Sequence, residues 1–110
     1  KNVKIMIQPI TGTENIDQVI AKGDVILGFS APWCGYCRRL RPMVEKLSEE
    51  ISQPIYGLNC DVDEEITKRY EVETIPTLIY FHDGQPKDRI IGYGTVGYPQ
   101  LKEFIEKNSK

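Results

Sequence analysis

Apolar residues recur along this chain in two distinct periods, and the switches between them mark out its elements. Lys4 to Gln8 reads as a short edge strand, and Ile16, Val19 and Ile20 return at helical spacing before Gly23, a helix stop. Val25 to Phe29 has the length and continuous apolar character of a buried strand. Leu40, Met43, Val44, Leu47 and Ile51 then follow i, i+3, i+4, i+7 and i+11, the stripe of a helix packed on a sheet. Ile55 to Asn59 reads as the next strand. Strand, helix and strand in this order make a crossover unit, which places the two strands parallel and is almost always right-handed.

Pro42 falls inside the long helical stripe, where it removes the hydrogen bond to the Arg38 carbonyl and is expected to kink the helix without ending it. Further on, Asp63, Glu64 and Glu65 suit the N-terminus of a short helix reaching about Tyr70. Thr77 to Phe81 is a strand of β-branched and aromatic residues, Asp83-Gly84 a turn, and Lys87 to Ile91 an antiparallel return. Tyr98, Leu101, Phe104 and Ile105 supply the apolar face of a terminal helix. The order is that of an α/β fold.

Length and charge narrow the function classes. The 110 residues read as one domain spanning 1–110, large enough for a real core. Fourteen basic against sixteen acidic residues leave a net charge of -2, and no basic stripe with interleaved aromatics points to nucleic acid. No stretch is long and apolar enough to predict a membrane span. A monomer in the cytoplasm is the expectation; because the chain starts at Lys1, an exported form with its signal peptide removed stands beside it.

The chemistry is carried by Trp33-Cys34-Gly35-Tyr36-Cys37, which follows the second strand and opens the long helix. Two intervening residues let both sulfurs meet on a helical first turn and close reversibly into a disulfide. At that place unpartnered backbone N–H groups and the helix dipole stabilise a thiolate on the first cysteine. Lowering a thiol pKa from about 8.5 to about 7 raises its thiolate fraction at neutral pH roughly 16-fold. Weaker basicity, with a Brønsted coefficient of about 0.45, leaves a net gain in attack of only about threefold, so leaving-group quality counts as much. Cys34 is therefore expected to attack and Cys37 to resolve.

Competing readings of these residues are weaker. A zinc site needs four ligands, and only Cys60 and His82 remain to complete one. Cys60 reads as a small apolar residue at the end of the third strand, with a regulatory or dimer-forming thiol as the alternative. His82 reads as solvated. Asp61, Asp63, Glu64 and Glu65 lack calcium-loop spacing and suit helix capping. Arg38, Arg39 and Arg41 either help hold a Cys34 thiolate or lie solvated on the helix surface.

With its elements placed, the chain resembles thioredoxins from about Asn15 to Lys107. The resemblance rests on Ala31-Pro32-Trp33-Cys34-Gly35-Tyr36-Cys37, Pro42 five residues beyond the second cysteine, Ile75-Pro76-Thr77, Phe81 followed by Asp83-Gly84, and Gly92 before the last helix. It implies a thioredoxin fold, a central five-stranded mixed sheet flanked by four helices, with the cysteines at the carboxyl end of the second strand. It also implies a cis Ile75-Pro76 bond facing the cysteines. A substrate segment would pair with the Ile75 backbone as an added strand, in a groove formed with Trp33, Gly35, Tyr36, Pro76, Gly92 and Tyr93. The implied activity is reduction of protein disulfides by a redox-active Cys34–Cys37 disulfide without any further cofactor or metal. An NADPH-dependent flavoprotein, a thioredoxin reductase, would restore the dithiol.

Three departures from the family pattern involve four positions. Tyr36 stands where thioredoxins usually carry proline, and a Gly-Tyr dipeptide is similar to that of bacterial disulfide isomerases and some glutaredoxins. An isomerase or oxidant is thus the alternative within the same chemistry, and a non-catalytic binding module the alternative outside it. Gly28 stands in place of the family's buried acid and Gly57 in place of its lysine neighbour, so the charged pair is absent as a unit and Cys37 is expected to lose its proton through water, with slower resolution than in ordinary thioredoxins. Ser30 replaces a frequent tryptophan, which predicts looser packing beneath the site.

Overall fold

The apolar run of Val25 to Phe29 lies at the centre of the fold in the computed structural model, which describes residues 7–110. In chain order the elements are β1 (Gln8–Pro9), α1 (Thr13–Ile20), β2 (Asp24–Ser30), α2 (Gly35–Glu50), β3 (Ile55–Asn59), α3 (Glu64–Arg69), β4 (Thr77–His82), β5 (Gln85–Ile91) and α4 (Tyr98–Asn108). Their strands form one mixed sheet in the order β1-β3-β2-β4-β5. β1 and β2 each run parallel to β3, β4 runs antiparallel to β2, and β5 antiparallel to β4.

Alternation along β2 divides the core between the two faces of the sheet. Leu27 and Phe29 point toward α1 and α3, packing with Ile16, Ile20 and Ile66. Ile26 points the other way, into a second cluster with Leu40, Val44 and Leu47 of α2 and Leu101, Phe104 and Ile105 of α4. Each such side chain, fully withdrawn from water, contributes about 1.5–3 kcal/mol. Burial therefore fixes the register of β2 strongly, because a one-residue slip would exchange its two faces.

The long helix runs unbroken from Gly35 to Glu50 with Pro42 inside it. Proline removes one backbone bond there, but Leu40, Val44 and Leu47 on the buried face hold the helix against the sheet. Of the strand expected at Lys4 to Gln8, residues 4–6 lie outside the described residues, and the described β1 pairs Gln8 and Pro9 with Tyr56 and Gly57. β5 begins at Gln85, two residues earlier than its apolar pattern indicates. Asp83 and Gly84 adopt positive φ of 50° and 86°, forming a two-residue hairpin that pairs His82 directly with Gln85. Pro86 is accommodated because β5 is an edge strand, and the ladder shifts register at Tyr80/Phe81.

Candidate active site

Between the end of β2 at Ser30 and the start of α2 at Gly35, the chain turns so that Cys34 becomes the helix N-cap, with φ −86° and ψ 117°. Its sulfur occupies the place that a capping oxygen fills in other helices, and the Cys37 N–H donates to it at 3.1 Å. Cys34 and Cys37 are joined in a disulfide, their Cα atoms 5.2 Å apart. Cys34 is only 6% exposed, so an incoming sulfur must approach through a defined opening.

That opening is framed by the segment ahead of β4 and the loop after β5. The Ile75-Pro76 peptide is cis, and the Ile75 carbonyl oxygen lies 3.8 Å from Cys34 Sγ. Gly92 donates its N–H to the Pro76 carbonyl at 2.8 Å. A Cβ at Gly92 would lie 2.7 Å from Leu40 Cδ2 and 3.0 Å from Pro76 Cγ, so the close approach of this loop to α2 and the proline requires glycine. Next to it, Gly94 lies against the Tyr36 ring, where a Cβ would meet Tyr36 Cε1 at 3.5 Å. Gly35 faces open space, which keeps the surface beside Cys34 low.

Aromatic side chains rim the disulfide. Trp33 is 67% exposed, Tyr36 52% and Tyr93 50%; with Val62 they are the large apolar residues left in water among the described residues. Trp33 is held by its indole N–H, which donates to Asp61 Oδ2 at 2.8 Å, while Asp61 N–H donates to Asn59 Oδ1 at 2.9 Å. Asp61 thus positions the rim, a role that its place in a run of acidic residues concealed.

Asp63 likewise departs from the capping expected of it. It precedes α3 as the N-cap residue but makes no side-chain cap bond. Its carboxylate accepts instead from the Gly12 N–H at 2.7 Å and the Thr11 hydroxyl at 3.2 Å, tying the α1 entrance to α3. The three arginines near the dithiol are engaged elsewhere: Arg38 donates to the Pro32 carbonyl, Arg39 to the Val96 carbonyl, and Arg41 pairs with Glu45. Cys60 is half-buried at the end of β3, and desolvation pushes its thiol pKa up. His82 lies at the opposite end of the sheet, exposed but paired with Asp24 and Asp83, both of which favour its charged form.

Among the described residues, no group of three or more His, Cys, Asp or Glu side chains is arranged to hold a metal ion, and no helix is long and apolar enough to cross a membrane. Beneath the disulfide, between α2 and the sheet, lies a cavity of about 460 Å³ that Cys37, Gly28 and Gly57 help to line. Ser30 lines it too, so the region predicted to be loosely packed contains open space.

Comparison with known proteins agrees with this geometry. The thioredoxin family model matches residues 7–107. Thioredoxin of Chlamydia pneumoniae is 43% identical over 84 residues, covering 76% of this chain and 82% of that protein. Thioredoxin-2 of Saccharomyces cerevisiae is 33% identical over 106 residues, covering 94% of this chain and 99% of that one. Among solved structures, a mutant thioredoxin from Halobacterium salinarum superposes with a TM-score of 0.85 at 28% identity, covering 94% of this chain and 91% of its own. Thioredoxin of Malassezia sympodialis gives 0.85 at 25% identity, with 99% and 98% covered. Fold, disulfide position and sequence converge, and the chain belongs to the thioredoxin family of thiol-disulfide oxidoreductases.

Proposed function

We propose that the protein reduces disulfides in other proteins with Cys34 as nucleophile and Cys37 as resolving thiol. The observation that carries this assignment is the Cys34 sulfur at the N-cap of α2, accepting the Cys37 N–H at 3.1 Å. A thiolate there gains that hydrogen bond and the positive end of the helix dipole. In the forward reaction, Cys34 thiolate attacks one sulfur of the substrate disulfide, and the second substrate sulfur leaves with the electron pair. Cys37 thiolate then attacks Cys34 Sγ, forming the Cys34–Cys37 bond and releasing the first substrate sulfur as thiolate. The protein is oxidised and the substrate reduced by two electrons.

Substrate binding follows from the same surface. An extended segment would pair with the Ile75 backbone and lie over Pro76, Gly92 and Gly35, with Trp33, Tyr36 and Tyr93 covering its side chains. Backbone pairing of this kind demands little of side-chain identity, which suits an enzyme acting on many proteins. We read the protein as a monomer of the reducing cytoplasm, with an NADPH-dependent thioredoxin reductase returning the disulfide to dithiol. Insulin reduction with NADPH and a heterologous thioredoxin reductase tests the activity. Turbidity from precipitating insulin chains is expected, and its absence from a reducible Cys34–Cys37 pair would remove the reductase reading. Equilibrium titration against glutathione separates direction: a potential of about −270 mV marks a reductase, and one of about −120 mV an oxidant.

A further inference from the structure

The resolving step requires Cys37 to lose a proton, and the cavity beneath it indicates where that proton goes. Gly28 and Gly57 are register partners on β2 and β3, so they stand side by side on the sheet face that carries α2. Neither is fully buried, although β2 is the central strand. Neighbouring side chains close over both glycines, a Cβ at Gly28 lying 3.1 Å from Leu78 Cδ2 and one at Gly57 lying 3.2 Å from Ile7 Cγ2, and beside them a slot runs from Cys37 between α2 and the sheet. At about 460 Å³ it has room for several waters. Pro9, Pro32, Arg38 and Arg41 are lining residues that reach solvent, and they mark its open side.

Among the described residues, the titratable or charged side chains in this wall besides Cys37 are Arg38 and Arg41, both on α2. The lining parts of β1, β2, β3 and the Pro76–Leu78 stretch contribute no carboxylate, imidazole or lysine. Neither guanidinium can accept a proton at any working pH. Polar side chains able to hold water line it, Ser30 Oγ and the Asn59 side chain.

We propose that the slot lined by Gly28 and Gly57 is a water-filled proton path, through which Cys37 is hydrated and gives its proton to solvent instead of to a protein side chain. In the step itself the Cys37 S–H proton passes to cavity water. The thiolate attacks Cys34 Sγ, the Cys34–substrate bond breaks, and the departing substrate thiolate takes a proton from solvent. The path rests on the reading of Cys37 as resolving thiol, and its test separates the two.

The experiment uses an aromatic disulfide, 5,5′-dithiobis(2-nitrobenzoate), mixed in stopped flow with the reduced protein carrying Cys60→Ser, so that the free thiol of Cys60 contributes no release. The first thionitrobenzoate released reports attack by Cys34, and the second reports resolution by Cys37. Gly57→Leu fills the slot with apolar atoms and desolvates Cys37; Gly57→Ser keeps it polar. Burial of a thiol raises its pKa, so Gly57→Leu is expected to move the pH midpoint of the second release upward by about one unit and slow it about tenfold at neutral pH. Gly57→Ser should follow the parent profile, and the first release should be unchanged in both. Coincident second-release profiles for folded Gly57→Leu and the parent would overturn the path while leaving the assignment of Cys37 intact. Loss of the second release from the parent itself would instead remove that assignment.

Should Gly57→Leu fail to fold because its Cβ would lie 3.2 Å from Ile7 Cγ2, Ser30→Val replaces it. Iodoacetamide alkylation of Cys37 in a Cys34→Ser background, followed against pH, then gives the titration directly. An upward shift on Ser30→Val supports the path, and an unmoved midpoint refutes it.

Discussion

Replacing Gly92 by alanine tests whether the site is built on the close approach of three segments. The added methyl would stand 2.7 Å from Leu40 Cδ2 and 3.0 Å from Pro76 Cγ, against ordinary carbon contacts of about 3.5–4.0 Å. Relief needs a displacement on the order of 1 Å, the shortfall against those contacts. Leu40 is 3% exposed and packed in the α2 stripe, and the ring of Pro76 is rigid and buried, so neither yields freely. Overpacking of this kind costs about 1–3 kcal/mol. With a urea dependence of about 1–3 kcal/mol per molar, the unfolding midpoint should fall by roughly 1 M. Because the strain bears on Pro76, insulin reduction should also lose about tenfold or more in kcat/KM, as a misplacement of about 1 Å costs up to about 100-fold. The double variant Gly92→Ala/Leu40→Ala removes the side chain in the way. It should be more stable than the sum of the single effects predicts, by about 1 kcal/mol or more. An unchanged midpoint and unchanged kcat/KM in Gly92→Ala would refute the packing argument.

Asp61→Ala frees the Trp33 indole; with an exposed pair, stability should change by no more than about 1 kcal/mol, while tryptophan fluorescence anisotropy falls and KM for insulin rises. Asp63→Ala leaves the Gly12 N–H without its partner and should cost about 1.5–3 kcal/mol in urea denaturation with little effect on the potential. At the far end of the sheet, hydrogen bonding from Tyr80 and then His82 lowers the Asp24 pKa below 3.8, while Asp24 and then Asp83 raise that of His82 above 6.5. The Asp24 contribution to stability is therefore present above pH 3.8 and lost as pH falls through its folded pKa, whereas that of His82 is full below 6.5 and lost as pH rises through its folded value. NMR titration should place the His82 midpoint above 6.5 and return it toward that value in Asp24→Asn. Tyr80, whose pKa burial and Asp24 push up to about 12, should show no phenolate absorbance at about pH 10, the ordinary tyrosine value, until the protein unfolds.

Local features of the fold were readable from the chain alone. The α2 stripe, the βαβ order and the placement of Cys34 at a helix start depend on neighbours within a few turns, and the periodicity encodes them. Contacts formed across distance were not. Asp61 meets Trp33 over 28 residues and Asp63 meets Gly12 over 51, and nothing in an acidic run distinguishes a helix cap from a tether. The start of β5 escapes the apolar pattern because Gln85 and Pro86 carry no apolar alternation; the tight Asp83-Gly84 hairpin imposes their pairing. Gly28 and Gly57 were paired already by the resemblance, but the cavity that both line with Cys37 exists only once β2, β3 and α2 are packed together.

Division of labour between the two thiols is the central claim, and a trapped intermediate tests it most directly. Cys37→Ser, incubated with a disulfide-bonded protein substrate and acid-quenched, should accumulate a mixed disulfide that peptide mass mapping places on Cys34. An adduct on Cys60, or insulin reduction that survives Cys34→Ser, would contradict the account.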